Sequence, residues 1–140
     1  MNSDTIIISI LLAFVGLSLL LSLFVLFKNH RHKKIPPALQ NKVQKHWQKI
    51  LIESKSHHKQ AVLEADKLLD FALYKKGFQG NLGTKLKKAS FHFSNYQKLW
   101  EAHKLRNKLA HEIDFEISES QSKFALENFR TALKDLGFKI

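Results

Sequence analysis

The hydrophobic residues of this chain form one uninterrupted run near the N-terminus. From Thr5 to Phe27 the sequence reads TIIISILLAFVGLSLLLSLFVLF and contains no charged residue. As a helix that rises ~1.5 Å per residue, this run spans about 34 Å, slightly more than the roughly 30 Å hydrocarbon core of a bilayer. The run therefore predicts a transmembrane helix over residues 5–27.

After residue 38 the pattern changes to apolar positions at helical spacing. It predicts helices over 39–54, 57–76, 84–93, 94–111 and from Ser118 towards the C-terminus. Gly77 is placed to end the second of these helices, and Ser118 with Gln121 forms a capping-box signature for the last. Residues 113–117 are expected to be extended or loop. The fold class predicted is all-α, with a transmembrane helix followed by a four- to five-helix bundle.

Charge flanking the apolar run predicts how it sits in a membrane. Asp4 precedes the run without any Lys or Arg, and Lys28, Arg31, Lys33 and Lys34 follow it. A cleaved signal peptide has the opposite arrangement and a shorter apolar core. Basic residues remain on the cytoplasmic side of a span, so we expect an uncleaved, single-pass anchor in the cell membrane with a cytoplasmic C-terminal domain. The predicted regions are an extracytoplasmic N-terminus (1–4), the transmembrane helix (5–27), a basic juxtamembrane linker (28–38) and a helical domain (39–140).

The net charge of +11 is unevenly distributed. Residues 28–49 carry seven Lys or Arg and no acid, and residues 50–111 carry twelve basic and five acidic groups. Anionic lipid headgroups would match the first block at Lys28–Lys34, and a polyanion such as RNA would match the second. A plainer interpretation is that lysine is simply this chain's common surface residue. Five lysines are candidate nucleic-acid-binding residues: Lys85, Lys87, Lys88, Lys104 and Lys108.

Several kinds of chemistry lack the residues they need. The chain has no cysteine, which excludes disulfides, thiolate metal sites and a cysteine nucleophile. The segment GFQGNLG at 77–83 lacks the lysine and the preceding strand of a phosphate-binding loop. His103 and His111 are two helical turns apart, about 12 Å along the axis, which is too far to share one ion. We therefore expect neither a metal site nor a cofactor.

The segment from His103 to Glu112 (HKLRNKLAHE) is the most informative part of the domain. Arg106 is one of three arginines beside twenty lysines, so its planar charged fork stands out. His111 falls at the predicted end of the helix, where an imidazole can exchange protons near neutral pH. Asn107 lies four residues before His111 on the same helical face, so we expect its amide to orient the His111 ring.

The sequence Arg106-Asn107-x-x-x-His111 resembles the R-[polar]-x(3–5)-H motif of HEPN-domain proteins, which are all-helical modules of bacterial toxins and RNA-targeting defence systems. The longer stretch from Glu64 to Glu112 is also similar to uncharacterised bacterial single-pass proteins with a HEPN-like domain. The resemblance covers about two-thirds of the soluble part. It implies metal-independent RNA cleavage in a composite site formed by a homodimer.

In that resemblance Arg106, Asn107 and His111 are the catalytic residues. His111 would handle the proton at the attacking 2′-hydroxyl or the leaving 5′-oxygen, Arg106 would stabilise charge on the phosphate, and Asn107 would hold the geometry. A five-residue offset places Arg106 and His111 about 140° apart around one helix, so they do not converge within one chain. Two helices that meet at a two-fold axis would bring both pairs to one phosphate.

Two other interpretations use the same residues without catalysis. In the first, the domain is a membrane-tethered module that binds RNA or protein through an accessible lysine face, with no need for His111. In the second it is a structural dimer or adaptor, in which Arg106 pairs with Glu101, Asp70 or Glu112 and His111 satisfies a buried helix end. Accessible Arg106 and His111 would favour the enzyme, whereas burial of both within one chain would favour the scaffold.

Overall fold

The computed structural model describes residues 3–30 and 35–140, and the chain divides into two units, Met1–Lys34 and Ile35–Ile140. In the first unit, helix α1 runs from Ser3 to His30. Its segment Ile6–Phe24 has a mean hydropathy of 2.8 and is long and apolar enough to cross a membrane. The proposed lipid contact at Lys28–Lys34 lies outside the residues whose side chains are described.

In the second unit the described residues are helical and contain no strand, which confirms the predicted all-α class. The helices are α2 (Pro37–Glu53), α3 (His58–Lys75), α4 (Leu82–Lys88), α5 (Tyr96–His111) and α6 (Glu119–Asp135), with a single 3-10 turn at Ser90–His92. Helix α2 begins two residues earlier than predicted because Pro37 occupies its first turn, where a missing N–H costs nothing.

Local capping explains where these helices begin and end. The Ser118 hydroxyl accepts a hydrogen bond from the backbone N–H of Gln121, and the backbone N–H of Ser118 donates to Gln121 Oε1, so the predicted capping box is present. Gly77 ends α3 at a φ of +97°, a conformation that favours glycine, and Phe78 N–H then bonds to Leu73 O at 3.1 Å. The turn at Gly77 starts the loop that leads from α3 into α4.

Helix α3 is the centre of the bundle and packs against α2, α4, α5 and α6. The buried apolar residues of α3 recur every three or four positions and so line one face of the helix: Ala61, Val62, Ala65, Leu68, Leu69, Ala72 and Leu73. The largest fully buried side chains of the core are Trp47, Phe129, Ile50, Leu69, Leu73, Leu86, Leu99, Leu109, Leu133 and Leu136. Because four helices share α3, a polar residue on its buried face must find partners on a neighbouring helix.

The structure corrects three expectations. The helix predicted over 84–93 is split into α4 and the 3-10 turn, and α4 starts at Leu82 because Asn81 caps it by accepting from Thr84 N at 2.9 Å. The helical spacing of Val43, Trp47, Ile50 and Leu51 predicts that all four lie on the apolar face of α2, but Leu51 is 37% exposed. Lys85, predicted on an accessible lysine face, is buried with 5% exposure.

Candidate functional site

A cleft of about 570 Å³ opens between α3, the start of α4 and α5. It contains two of the three residues of the predicted catalytic motif, Arg106 and Asn107. The complete lining is Asp66, Lys67, Asp70, Asn81, Leu82, Gly83, His103, Arg106 and Asn107. Charged, amide and imidazole groups dominate this lining, so the cleft suits a polar ligand.

Asp66 contacts both His103 and Arg106 in this cleft. It sits on the buried stripe of α3 and is 1% exposed. Its Oδ1 lies 2.8 Å from His103 Nδ1, and its Oδ2 lies 2.8 Å from Arg106 Nε. The Arg106 N–H does not point straight at this oxygen, so the second contact is an ion pair rather than an aligned hydrogen bond. One buried carboxylate thus joins two residues of α5.

Asn107 completes a closed ring with these three residues. Arg106 Nη1 donates to Asn107 Oδ1 at 3.0 Å, and Asn107 Nδ2 lies 3.3 Å from His103 Nε2. We call Asp66, His103, Asn107 and Arg106 the polar ring. The expectation that the Asn107 amide orients His111 is therefore wrong, because the amide reaches back one turn to His103 instead of forward to His111. Arg106 pairs with Asp66 and not with Glu101, Asp70 or Glu112.

A second ion pair lies next to the polar ring. Lys85 Nζ is 2.9 Å from Asp70 Oδ1 and 5.6 Å from the centroid of the Tyr74 ring. The lysine side chain is 6% exposed and the aspartate side chain 40% exposed. Because its ammonium is already paired and covered, Lys85 contributes to packing α4 on α3 and does not present a free cation to solvent.

His111 is exposed at the last residue of α5 and does not line the cleft. It forms no hydrogen bond or ion pair with any residue that the structure describes. Its offsets from Trp100, Lys104 and Asn107 are eleven, seven and four residues, which place all four on one face of the helix. We call these four residues the α5 stripe. Asn107 is where the polar ring and the α5 stripe meet.

The four remaining candidate lysines are exposed. Lys87 Nζ lies 5.6 Å from the Trp100 ring centroid, and Lys108 Nζ lies 5.9 Å from the Phe115 ring centroid. Lys88 donates to Gln79 O at 3.2 Å. Lys104 is part of the α5 stripe. Four of the five predicted lysines therefore remain available to an anionic partner, although they belong to two separate helices.

The groups with a shifted pKa lie outside the polar ring: Glu64 within α3, Lys76 after its last turn, and Glu119 at the start of α6. A hydrogen bond from Lys67 lowers the pKa of Glu64, with partial burial opposing it and the charge of Lys67 and a contact from His46 adding to it. Burial lowers the pKa of Lys76, which caps the C-terminal end of the helix. The lowered pKa keeps Glu64 ionised near neutral pH, where it pairs at 2.9 Å with Lys67 at the edge of the cleft.

Elsewhere in the domain, a cleft of about 670 Å³ is formed by residues 56–60 and 113–117. It contains none of the predicted motif residues. Among the residues that the structure describes, no three His, Asp or Glu side chains are grouped so that they could hold a metal ion.

Sequence reasoning missed Asp66 and His103 as site residues. A signal for both was present, because each interrupts an apolar helical stripe. Asp66 stands one residue after buried Ala65 and three before buried Leu69, and His103 follows buried Ala102. A charged or ionisable residue on a buried stripe requires a partner. Lys85, between buried Leu82 and Leu86, carries the same signal.

Comparison with known proteins gives no assignment. No family model matches the chain, and neither the curated proteins nor the solved structures yield a match. The class of the domain is therefore defined by its own architecture: an all-α bundle with a polar cleft along its central helix.

Proposed function

We propose that this chain is a membrane-anchored ribonuclease of the HEPN type, which works as a homodimer without a metal ion. One observation carries the proposal. Arg106 and Asn107 are fixed side by side at an open cleft, while the His111 imidazole is exposed on the same helical face as Asn107. A guanidinium with a fixed direction and an accessible imidazole are what phosphodiester cleavage by general acid–base chemistry requires.

The reaction would be an internal transfer. The 2′-oxygen of RNA attacks the adjacent phosphorus as His111 accepts its proton. The bond from phosphorus to the 5′-oxygen breaks as that oxygen takes a proton from water, and the hydroxide left behind is neutralised by the proton that His111 releases. The products are a 2′,3′-cyclic phosphate and a free 5′-hydroxyl. Arg106 would stabilise the charge that develops on the non-bridging oxygens. Because Arg106 and His111 diverge by about 140° on one helix, a second copy of α5 would complete the site.

Substrate binding would use the α5 stripe and the neighbouring lysines. Trp100 is half-buried and offers part of a ring for stacking, with the ammonium of Lys87 5.6 Å from its centroid. Lys104 and Lys108 extend along α5 towards His111. Aromatic rings flanked by lysines suit single-stranded RNA, because bases stack on the rings while the ammonium groups contact phosphates.

Helix α1 would anchor the protein in the cell membrane, with the N-terminus outside and residues 35–140 in the cytoplasm. The chain has no cysteine, so a single introduced cysteine is a unique label. In intact cells we expect a membrane-impermeant maleimide to react with Asn2→Cys and to leave exposed Ser120→Cys unmodified until the cells are opened. The reverse pattern would contradict the proposed orientation.

The activity is tested with the full chain in nanodiscs, incubated with mixed-sequence RNA in EDTA. We expect cleavage with cyclic-phosphate ends that is lost in His111→Ala and in Arg106→Ala. Matched controls are His57→Ala, at an exposed histidine before α3, and Arg130→Ala, at a half-buried arginine of α6. Intact RNA with wild-type protein, or equal loss in the controls, would contradict the proposal.

A second candidate function is a non-catalytic module that binds RNA or a protein. The observation in its favour is that Arg106 is already paired with Asp66 of its own chain, with its side chain 25% exposed. RNA binding of this kind would weaken with salt and with loss of the lysines, but not with His111→Ala. His111→Ala therefore distinguishes the two functions, because it abolishes RNA cleavage in the first and leaves RNA binding unchanged in the second.

A further inference from the structure

The donor and acceptor roles within the polar ring determine which nitrogen of His103 carries a proton. Arginine has no hydrogen-bond acceptor, so the Asn107 atom that faces Arg106 Nη1 must be the carbonyl oxygen. That assignment leaves the Asn107 amide group facing His103 Nε2 at 3.3 Å. Because an amide N–H can only donate, Nε2 must accept and cannot carry a proton itself.

The other nitrogen of His103 is then determined. With Nε2 unprotonated, the single proton of the imidazole is on Nδ1, from which it donates to Asp66 Oδ1 at 2.8 Å. The bonds therefore run in one direction, from Arg106 to Asn107, from Asn107 to His103, and from His103 to Asp66. Asp66 closes the ring by its ion pair with Arg106 Nε at 2.8 Å.

Charge balance supports the same state. The polar ring then holds one anion (Asp66) and one cation (Arg106), with His103 and Asn107 neutral. Asp66 is 1% and His103 7% exposed, and an additional positive charge at such a depth would be unbalanced. The adjacent pair of Asp70 and Lys85 is balanced in itself. Lys67, exposed on α3, is the other cation that lines the cleft and is paired with Glu64.

We propose that Asp66 and His103 are positioning residues, which hold Arg106 and Asn107 in the cleft through the neutral, Nδ1-protonated form of His103. This inference rests on the proposed function for what the positioned groups do, but not for the ring itself. His103 does not contact substrate in this arrangement. His103 orients the Asn107 side-chain amide, whose oxygen in turn holds Nη1 of the Arg106 guanidinium by a hydrogen bond.

The proposal predicts that Asn107→Asp changes the protonation of His103, which a purely packing role for Asn107 does not predict. A carboxylate at position 107 still accepts from Arg106, but its second oxygen now faces His103 Nε2 and favours a proton there. Since Asp66 retains the proton on Nδ1, the imidazole becomes doubly protonated. The substitution adds one negative charge, and the new imidazolium restores the balance. Asn128→Asp is the matched control, because Asn128 lies half-buried on α6 and donates to Phe124 O.

The test is nitrogen NMR of the full chain in detergent micelles, with histidine and arginine isotopically labelled and His103 assigned by the signals lost in His103→Gln. At mildly alkaline pH we expect a protonated Nδ1 and an unprotonated Nε2 in wild type and in Asn128→Asp. In Asn107→Asp we expect both nitrogens protonated at the same pH. The Arg106 Nε signal should shift in Asp66→Asn, whose amide would turn an N–H towards the guanidinium or His103.

Some results would overturn the proposal. The first is protonation of His103 at Nε2 in the wild type. The second is an Asn107→Asp spectrum in which the His103 nitrogen signals are the same as in the wild type. The third is an Arg106 Nε signal that does not shift in Asp66→Asn. RNA cleavage is measured on the same samples. If RNA stays intact while His103 has the expected form, the ribonuclease proposal fails and the positioning network stands. If RNA is cleaved, we expect Asp66→Asn to lower kcat by roughly ten- to a hundredfold, the scale of a misplaced catalytic group.

Discussion

Removal of the Asp66 carboxylate is the sharpest test of how the bundle is held together around the cleft. Asp66→Ala leaves His103 Nδ1 without its hydrogen-bond acceptor and the buried Arg106 Nε without its counter-ion. Each lost contact involves a charged group and contributes about 1.5–3 kcal/mol, so the pair amounts to about 3–6 kcal/mol. Arg106 is 25% exposed and can turn partly to water, which reduces the expected loss to about 2–4 kcal/mol.

This loss is measurable without unfolding the protein outright. A domain of this size has a total stability of about 5–15 kcal/mol, so the variant remains folded with a Tm lower by roughly 10–25 °C. Urea unfolding of the full chain in mild detergent can be followed by tryptophan fluorescence, because both tryptophans, Trp47 and Trp100, lie in the helical domain. The apolar helix α1 contributes no tryptophan signal.

The matched control is Glu64→Ala, two residues earlier on the same helix. Glu64 pairs with Lys67, which is 61% exposed, and such surface pairs contribute about 0–1 kcal/mol. Asp66→Ala should also cost less in an Arg106→Ala background, because the two residues are coupled. A loss for Asp66→Ala no greater than that for Glu64→Ala would refute the account of Asp66 as the centre of the polar ring.

Three further predictions follow from the same structure. Lys85→Met should lower the unfolding free energy by about 1–3 kcal/mol, because Asp70 loses its partner, whereas exposed Lys87→Met should change it by less than about 0.5 kcal/mol in the same urea titration. If single-stranded RNA is bound, Lys104→Met should reduce the slope of log affinity against log salt by about 0.7, measured by fluorescence anisotropy, and Lys85→Met should leave that slope unchanged. The lowered pKa of Glu64 means that its stabilising contribution is complete above about 4.5, the ordinary pKa of a glutamate, and disappears as pH falls through the lower folded pKa. Glu64→Gln should remove that part of the acid dependence of unfolding, and an unchanged acid profile would contradict the assignment.

The helices and their ends could be predicted from the sequence because the interactions that form them are local. Apolar spacing, the capping box at Ser118 and the glycine after α3 all act within one or two helical turns. An uncharged run as long as Ile6–Phe24 is equally a local property. Arg106, Asn107 and His111 were predicted as site residues from one short motif on one helix, and the structure places the first two in the cleft and His111 outside it.

The partners within the site were decided by the tertiary structure alone. Asp66 and His103 are 37 residues apart in sequence and meet only because α3 and α5 pack together. The same packing turns Asn107 towards His103 instead of His111 and places Lys85 against Asp70 instead of in solvent. Periodicity marks which helical faces are buried, but it does not say which buried polar groups will face each other. The pairing of buried polar groups is determined by how α3 packs against α4 and α5, because each buried donor must find an acceptor on another helix.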